Sequence, residues 1–419
     1  MGAQFINGDK NPLFELAEKL GVVDHIVGDF EHFDDATFRY GNCPIQLSDL
    51  EAYQEFVTPL DDKYHYVAYN DKERSYDETV KTMYDRDYAE FLKVQNATSG
   101  FRRKVFDSLT LTYRSYFEFE YAAKWEDLSL RAITEWDDLD EPGNGVSYST
   151  TKIGYAAIIS HLTSQIPSSK LHLNHRIANI DYSGEKTKIT LVNGTVIEYE
   201  FDYVIVTSAI GHLKKFARKM FTPQLPKRLL KAIDKIGMGT SAKIFLEYSD
   251  TTWMDSFLSP LPVAGCQGRK ELGTIESEFN TFQKVPWAPN LFMGWIAGYG
   301  PEKVDKLSDE ELSKILTQLF RDIYRNSSIP EPTAIIRQKW TTNDLFGGSY
   351  SYVSYGQAQS RIRHSDMSIP VRKNGKIRIQ FAGEATHHRI FQTAVGAFLS
   401  GRRESDRILD DIKRNSFKI

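Results

Sequence analysis

The residues best suited to chemistry stand near the C-terminus. A strand expected over Ile377–Phe381 feeds Gly383-Glu384, then a loop, then a helix expected over Thr393–Lys413 with Gly396 and Gly401 near its start. A helix N-terminus offers unpaired N–H groups and the positive end of its dipole, so this layout suits an anion such as a phosphate. Small residues at 394, 396, 397, 400 and 401 would let a ligand approach the helix closely, and Glu384 is placed to accept hydrogen bonds from sugar or ribityl hydroxyls. A plain strand–turn–helix packed through its glycines fits the same spacing equally well. The second candidate is Lys243, which opens an apolar strand after the turn Gly237-Met238-Gly239. Its ammonium can project at a cavity edge, although the usual fate of such a lysine is solvation. No persuasive Ser-His-Asp or Cys-His set is present. Cys43 and Cys266 lie in unrelated contexts, offering neither a metal-ligand pattern nor a disulfide framework, so a reducing, cytoplasmic setting is expected.

The elements around these residues alternate in type. Asn11-Pro12 opens a helix with Leu13, Leu16, Ala17 and Leu20 on one face, and Gly21 ends it. Residues 75–135 read mainly as helices, followed by the acidic loop 137–145 and a helix over 152–165. From Lys170 the pattern turns to strands: Leu171, Leu173, Ile177 and Ile180 lead to a turn near Gly184. Ile189 and Leu191 then precede Asn193-Gly194, a hairpin signal, with Val196, Ile197 and Tyr199 returning. The run Tyr203–Thr207 suits a strand buried on both faces. A helix over Pro226–Ile236, strands over Lys243–Tyr248 and Leu291–Ala297, and a helix opened by the capping box Ser308/Glu311 follow. At 419 residues, with 41% hydrophobic and 26% charged, the chain is a globular protein with room for two domains. A net charge of −4 argues against a nucleic-acid partner, and no apolar run reaches the roughly 20 residues that span a bilayer.

Read as a string, Phe381-Ala382-Gly383-Glu384-Ala385-Thr386-His387 with Thr393-Ala394-Val395-Gly396-Ala397 resembles the C-terminal signature of the flavin-containing amine oxidases. Four further stretches, in order, are similar to the polyamine oxidase branch: Gly2–Gly8 with Asn11-Pro12-Leu13, Tyr203–Thr207 with Gly211-His212-Leu213, Lys235–Glu247, and Trp340 with Gly348–Val353. The resemblance implies an α/β fold with a doubly wound FAD-binding domain (1–12, 150–222 and 372–419). A mixed-sheet and helical substrate domain would comprise 13–149 and 223–371. It implies FAD-dependent oxidation of a polyamine or N-acetylpolyamine, with dioxygen as second substrate, in a monomer. Lys243 would hold a water against the flavin N5, and Tyr350 would stand in the aromatic wall that orients the amine. Asn7, Tyr350 and Thr393 would meet substrate. Ala3, Gln4, Phe5, Ile177, Trp340, Glu384, Thr393, Ala394 and Val395 would meet the cofactor. Ser349 stands where monoamine oxidases carry a flavin-linking cysteine, so the flavin is expected to be noncovalent. Asp61, Asp62 and loop 137–141 suit either amine steering or a solvated surface.

The chain also departs from the branch. No GxGxxG occurs near its start, where the family has its first βαβ unit behind it, so this 419-residue form is expected to hold FAD weakly. Asn7 and Phe5 replace a histidine and a tryptophan of the motif, and Val395 replaces another histidine. A histone-lysine demethylase is the alternative within the fold, but no long heptad stretch matches that relative's helical insertion. The alternative from another class is a cofactor-free binding module. Peroxisomal and nuclear locations stay open beside the cytoplasm.

Overall fold

The computed structural model describes residues 2–27, 37–135, 146–266 and 275–416. The acidic loop 137–145 lies outside them. Two helices that pack beside the elements carrying the candidate residues have a local cause. The helix Pro12–Lys19 starts where Asn11 Oδ1 accepts the Phe14 amide at 2.9 Å, and it buries Leu13 and Ala17. Ser308 and Glu311 exchange hydrogen bonds and open the helix Asp309–Tyr324, whose Leu312, Leu316, Leu319 and Ile323 are buried.

That helix covers a six-stranded mixed sheet. Its strand order is Ala334–Arg337, Ser241–Glu247, Ala288–Ala297, Thr281–Val285, Phe257–Pro260 and Thr37–Arg39. Ser241–Glu247 lies next to the edge strand and pairs antiparallel on both sides, Lys243 opposite Trp295. A core of Ile244, Leu246, Phe282, Phe292 and Phe320 holds sheet and helix together. A separate helical layer begins at Leu47, earlier than the expected 75, with helices Leu47–Val57 and Leu60–Asn70 preceding Val80–Val94 and Gly100–Tyr121. Its core is aromatic, built on Tyr64, Tyr84, Phe91, Phe106 and Trp125.

Gly2–Val27 and residues 146–164 form a small unit in which Phe5–Asn7 pairs with Ser147–Thr150. Ile6, Leu13, Ile158 and Val395 share its core. Lys376–Phe381 pairs parallel with Val204–Val206, Phe381 opposite Val206.

Four expectations need correction. Val204 and Ile205 are half-buried and only Val206 is buried, because the strand pairs on one side alone among the described residues. Leu171 and Leu173 are not in a strand: a short 3-10 turn occupies Ser168–Lys170 and both leucines are exposed. The hairpin's return limb is held by an isolated bridge at Val196 and the Ile197 amide bond to Ile189, leaving Tyr199 exposed. The fourth concerns the cysteines. The fold brings Cys43 and Cys266 to a Cα–Cα distance of 5.7 Å as a disulfide across 223 residues, a pairing no local spacing encodes. Among the described residues no helix is long and apolar enough to cross a membrane.

Candidate active site

The strand Ser241–Glu247 places Lys243 beneath the N-terminal motif. Lys243 Nζ donates to the Gly2 carbonyl at 3.0 Å and to Gln4 Oε1 at 2.9 Å, and lies 5.0 Å from the Trp295 ring centroid. An ammonium has three N–H donors, so one remains for a further partner. Burial favours the neutral amine and pulls its pKa down to about 8. The lysine is therefore a half-buried donor against an aromatic face, and the two motif segments 241 residues apart in sequence meet at it.

An aromatic wall continues from there. Trp295 meets Phe119 edge-on at 4.6 Å, and the Tyr350 hydroxyl donates to the Phe119 carbonyl at 2.8 Å. Burial raises the Tyr350 pKa, and nearby Glu120 adds to the rise, so the phenol stays protonated. The turn just before Tyr350 is fixed by Ser349, whose Oγ accepts the Ser241 amide at 2.9 Å and donates to the Gly239 carbonyl at 3.3 Å. Phe119 and Trp295 were not legible as site residues. Each is one aromatic among many, and only helix end and strand register bring them to Lys243.

Glu384 is the hub of the second half of the site. It follows Gly383, whose φ of 126° is a region only glycine enters easily. Its carboxylate accepts the Ser351 amide, the Ser351 hydroxyl at 2.7 Å and the Gln392 amide at 2.7 Å. Burial raises its pKa, while the bonds from Ser351 and Gln392 oppose the rise. Glu384 thus ties the turn before the helix Ala394–Ser416 to the segment that carries Tyr350.

Several expected site residues are turned to other work. Asn7 Nδ2 donates to Ser147 Oγ at 3.0 Å. Thr393 is buried with its hydroxyl spent on capping: it donates to the Ile390 carbonyl and accepts the Gly396 amide. Val395 is fully buried in the small core, backbone included, and presents no surface to a ligand. The small residues divide as well. A Cβ on Gly396 would stand 2.1 Å from the Ile390 carbonyl oxygen, whereas one on Gly401 would meet nothing within 4 Å. Glycine at 396 therefore serves chain packing rather than ligand approach. Phe5 is half-buried, with its carbonyl accepting the Tyr155 hydroxyl, and Ala3 is exposed. Trp340 packs edge-on against Phe346 at 5.0 Å beside the sheet core. Ile177 stands apart, on a strand paired with Lys188–Leu191.

Below the wall lies a buried ion cluster. Arg114 is shared between Glu118 at 3.2 Å and Glu278 at 2.6 Å, and Lys303 reaches Glu278 at 2.6 Å. Burial pushes the Glu118 pKa up to about 8 against the pull of Arg114, and the neighbouring Glu278 charge adds to the rise. The folded chain thus keeps a proton on Glu118 that the unfolded chain releases near the ordinary glutamate value. Stability from this group is complete below that value and is lost as pH rises through about 8. The expected slope is at most about 1.4 kcal/mol per pH unit between the two. Glu118→Gln should flatten the fall in urea midpoint between pH 5 and pH 8. An unchanged slope in the variant would place the proton elsewhere.

A flavin nucleotide fits what the residues offer. The half-buried Ala394 amide heads a 23-residue helix and has no intrahelical acceptor. A Cβ at Gly2 or Gly383 would meet nothing within 4 Å, so space is open beside both, and Lys243 keeps a donor in reserve. Comparison with known proteins agrees. The family model described as "Flavin containing amine oxidoreductase" matches residues 1–409. The human "Peroxisomal N(1)-acetyl-spermine/spermidine oxidase" is 33% identical over 258 residues, covering 58% of this chain and 49% of its own length. "Probable polyamine oxidase 5" of Arabidopsis thaliana is 27% identical over 360 residues, 74% of this chain and 63% of its own. The human "Lysine-specific histone demethylase 2" is 25% identical over 427 residues, 97% of this chain and 47% of its own. The chain spans about half the length of most of these relatives. Among solved structures, putrescine oxidase bound to putrescine superposes with a TM-score of 0.63 at 14% identity, over 98% of this chain and 88% of that one, which is a likeness of fold. With that fold and a sequence match running over nearly its whole length, the chain belongs to the flavin containing amine oxidoreductase family.

Proposed function

We propose that this protein is an FAD-dependent amine oxidase that acts on a polyamine or an N-acetylpolyamine. The observation that carries the reading is Lys243: a half-buried ammonium with a donor in reserve, set against Trp295 and bonded to the Gln4 motif. The overall reaction takes a secondary amine, dioxygen and water to an aldehyde, a shorter amine and hydrogen peroxide. A bound flavin would supply the two-electron acceptor, with dioxygen as the final oxidant. The chain's own residues do the rest. Tyr350, Phe119 and Trp295 form an apolar wall that holds the neutral amine and keeps competing water away. Lys243 positions a water or a proton at the edge of that wall. Glu384 and the Ala394 amide at the helix start hold the cofactor's hydroxyl and phosphate groups. The division into FAD-binding segments 1–12, 150–222 and 372–419 and substrate segments 13–149 and 223–371 belongs to the same proposal.

The test is direct. The protein is incubated with excess FAD, and anaerobic bleaching of the yellow form is followed with spermine, spermidine, N1-acetylspermine, a simple monoamine and a dimethyl-lysine peptide. Bleaching by a polyamine, with peroxide formed on admission of air, is expected. Bleaching by the peptide alone would move the reading to a demethylase, and none at all would favour a binding module.

The flavin should come away intact on acid or heat treatment. Ser349 has no thiol for a thioether, and its hydroxyl is already shared between Ser241 and Gly239. Flavin that stays with the denatured polypeptide on gel filtration would contradict this.

A further inference from the structure

One buried titratable ring takes no part in the amine chemistry. His364 is 3% exposed and lies flat on Phe391, with ring centroids 3.8 Å apart and planes within 6°. Its Nδ1 lies 3.2 Å from Gln357 Nε2, and its Nε2 lies 3.1 Å from Ser351 Oγ. With the Gln357 amide nitrogen toward the ring, Nδ1 accepts and Nε2 carries the proton. Nε2 then donates to Ser351 Oγ, whose own proton goes to Glu384 Oε2 at 2.7 Å. This polarity makes Ser351 a relay of hydrogen bonds and not a nucleophile, since its neighbouring histidine donates to it. Burial lowers the His364 pKa to about 3, so the ring stays neutral and keeps that donor arrangement.

The far end of the relay is a turn in an unfavourable backbone state. Gln392 has φ +71° without being glycine, and its amide is held by Glu384 Oε2. Phe391 immediately precedes it and Thr393, the cap of the helix Ala394–Ser416, immediately follows. His364 therefore touches both sides of the same turn: it stacks on Phe391 directly and reaches the Gln392 amide through Ser351 and Glu384.

We propose that His364 is a positioning residue that holds the turn Ile390–Thr393, and with it the half-buried Ala394 amide that heads the helix, in the geometry that receives the cofactor. The assignment of that amide rests on the function proposed above; the grip on the turn does not. His364→Phe keeps a flat ring but removes the donor, and His364→Gln keeps a donor of similar reach but removes the ring.

Hydrogen exchange of the full chain without added flavin, followed by titration with FAD, separates the possibilities. In His364→Phe the Gln392 and Gly396 amides should exchange at least tenfold faster, while amides of Asp309–Tyr324 stay as in wild type. FAD affinity should fall about tenfold, and His364→Gln should recover part of both. Exchange within twofold of wild type in His364→Phe would overturn the proposal and leave His364 a packing residue. Should that variant not fold, Ser351→Ala cuts the same relay with a smaller change and is judged by the same exchange criterion. Wild-type protein that takes up no FAD would sink the proposed function, while the exchange data would still decide the role of His364.

Discussion

Lys243→Met should lower the rate of flavin reduction, reoxidation or both by about 10²- to 10³-fold, the usual effect of losing one positioned donor or proton-transfer group. Methionine keeps an unbranched stem of similar length, so the pairing of residue 243 with Trp295 in the sheet should survive. Stability at neutral pH should not fall. Burial holds the folded-state pKa near 8, below the ordinary lysine value of 10.5. The folded state is therefore favoured relatively above 10.5, loses that advantage as pH falls through about 8, and carries the buried charge at a cost below it. Removing the charge offsets the loss of the bonds to Gly2 and Gln4. Rapid mixing at equal FAD occupancy separates the two half-reactions. If both stay within a few-fold of wild type, Lys243 is a strand lysine and not a catalytic one.

The largest stability effect should come from Gly396→Ala. The added Cβ would stand 2.1 Å from the Ile390 carbonyl oxygen, and that oxygen is backbone, not the end of a flexible side chain. Relief requires the turn 390–393 to move, which disturbs the Thr393 cap and the Gln392 bond to Glu384. A loss of about 3 kcal/mol is expected, at the upper end of overpacking effects. Gly401→Ala is the control. It lies in the same helix with open space around it, so it should be neutral or stabilising by up to about 1 kcal/mol from helix propensity. Urea unfolding of both variants tests the pair. Equal effects would mean that the crowding at Gly396 has no energetic consequence.

Sequence alone determined those features whose cause is local or whose pattern is long. The capped helices at Pro12 and Asp309 were legible because Asn11 and Ser308/Glu311 satisfy free amides within four residues. The strand at Lys243, the strand into Gly383-Glu384 and the glycine-bearing helix after it were legible from hydrophobic period and turn residues. Five ordered motifs pointed to the family that the match over residues 1–409 establishes.

Tertiary structure alone decided which atoms meet. Cys43 and Cys266 pair across 223 residues, and neither neighbourhood carries a signal of the other. Side-chain direction was equally hidden. Thr393 and Val395 stand in the motif, yet one hydroxyl is taken by the helix cap and one isopropyl group by the core, because capping and burial are satisfied before a ligand is. Phe119 and Trp295 became a wall only through the end of one helix and the register of one strand pair. Whether a small residue makes room for a ligand or for the chain itself depends on what stands opposite: at Gly396 it is a carbonyl, and at Gly401 open space.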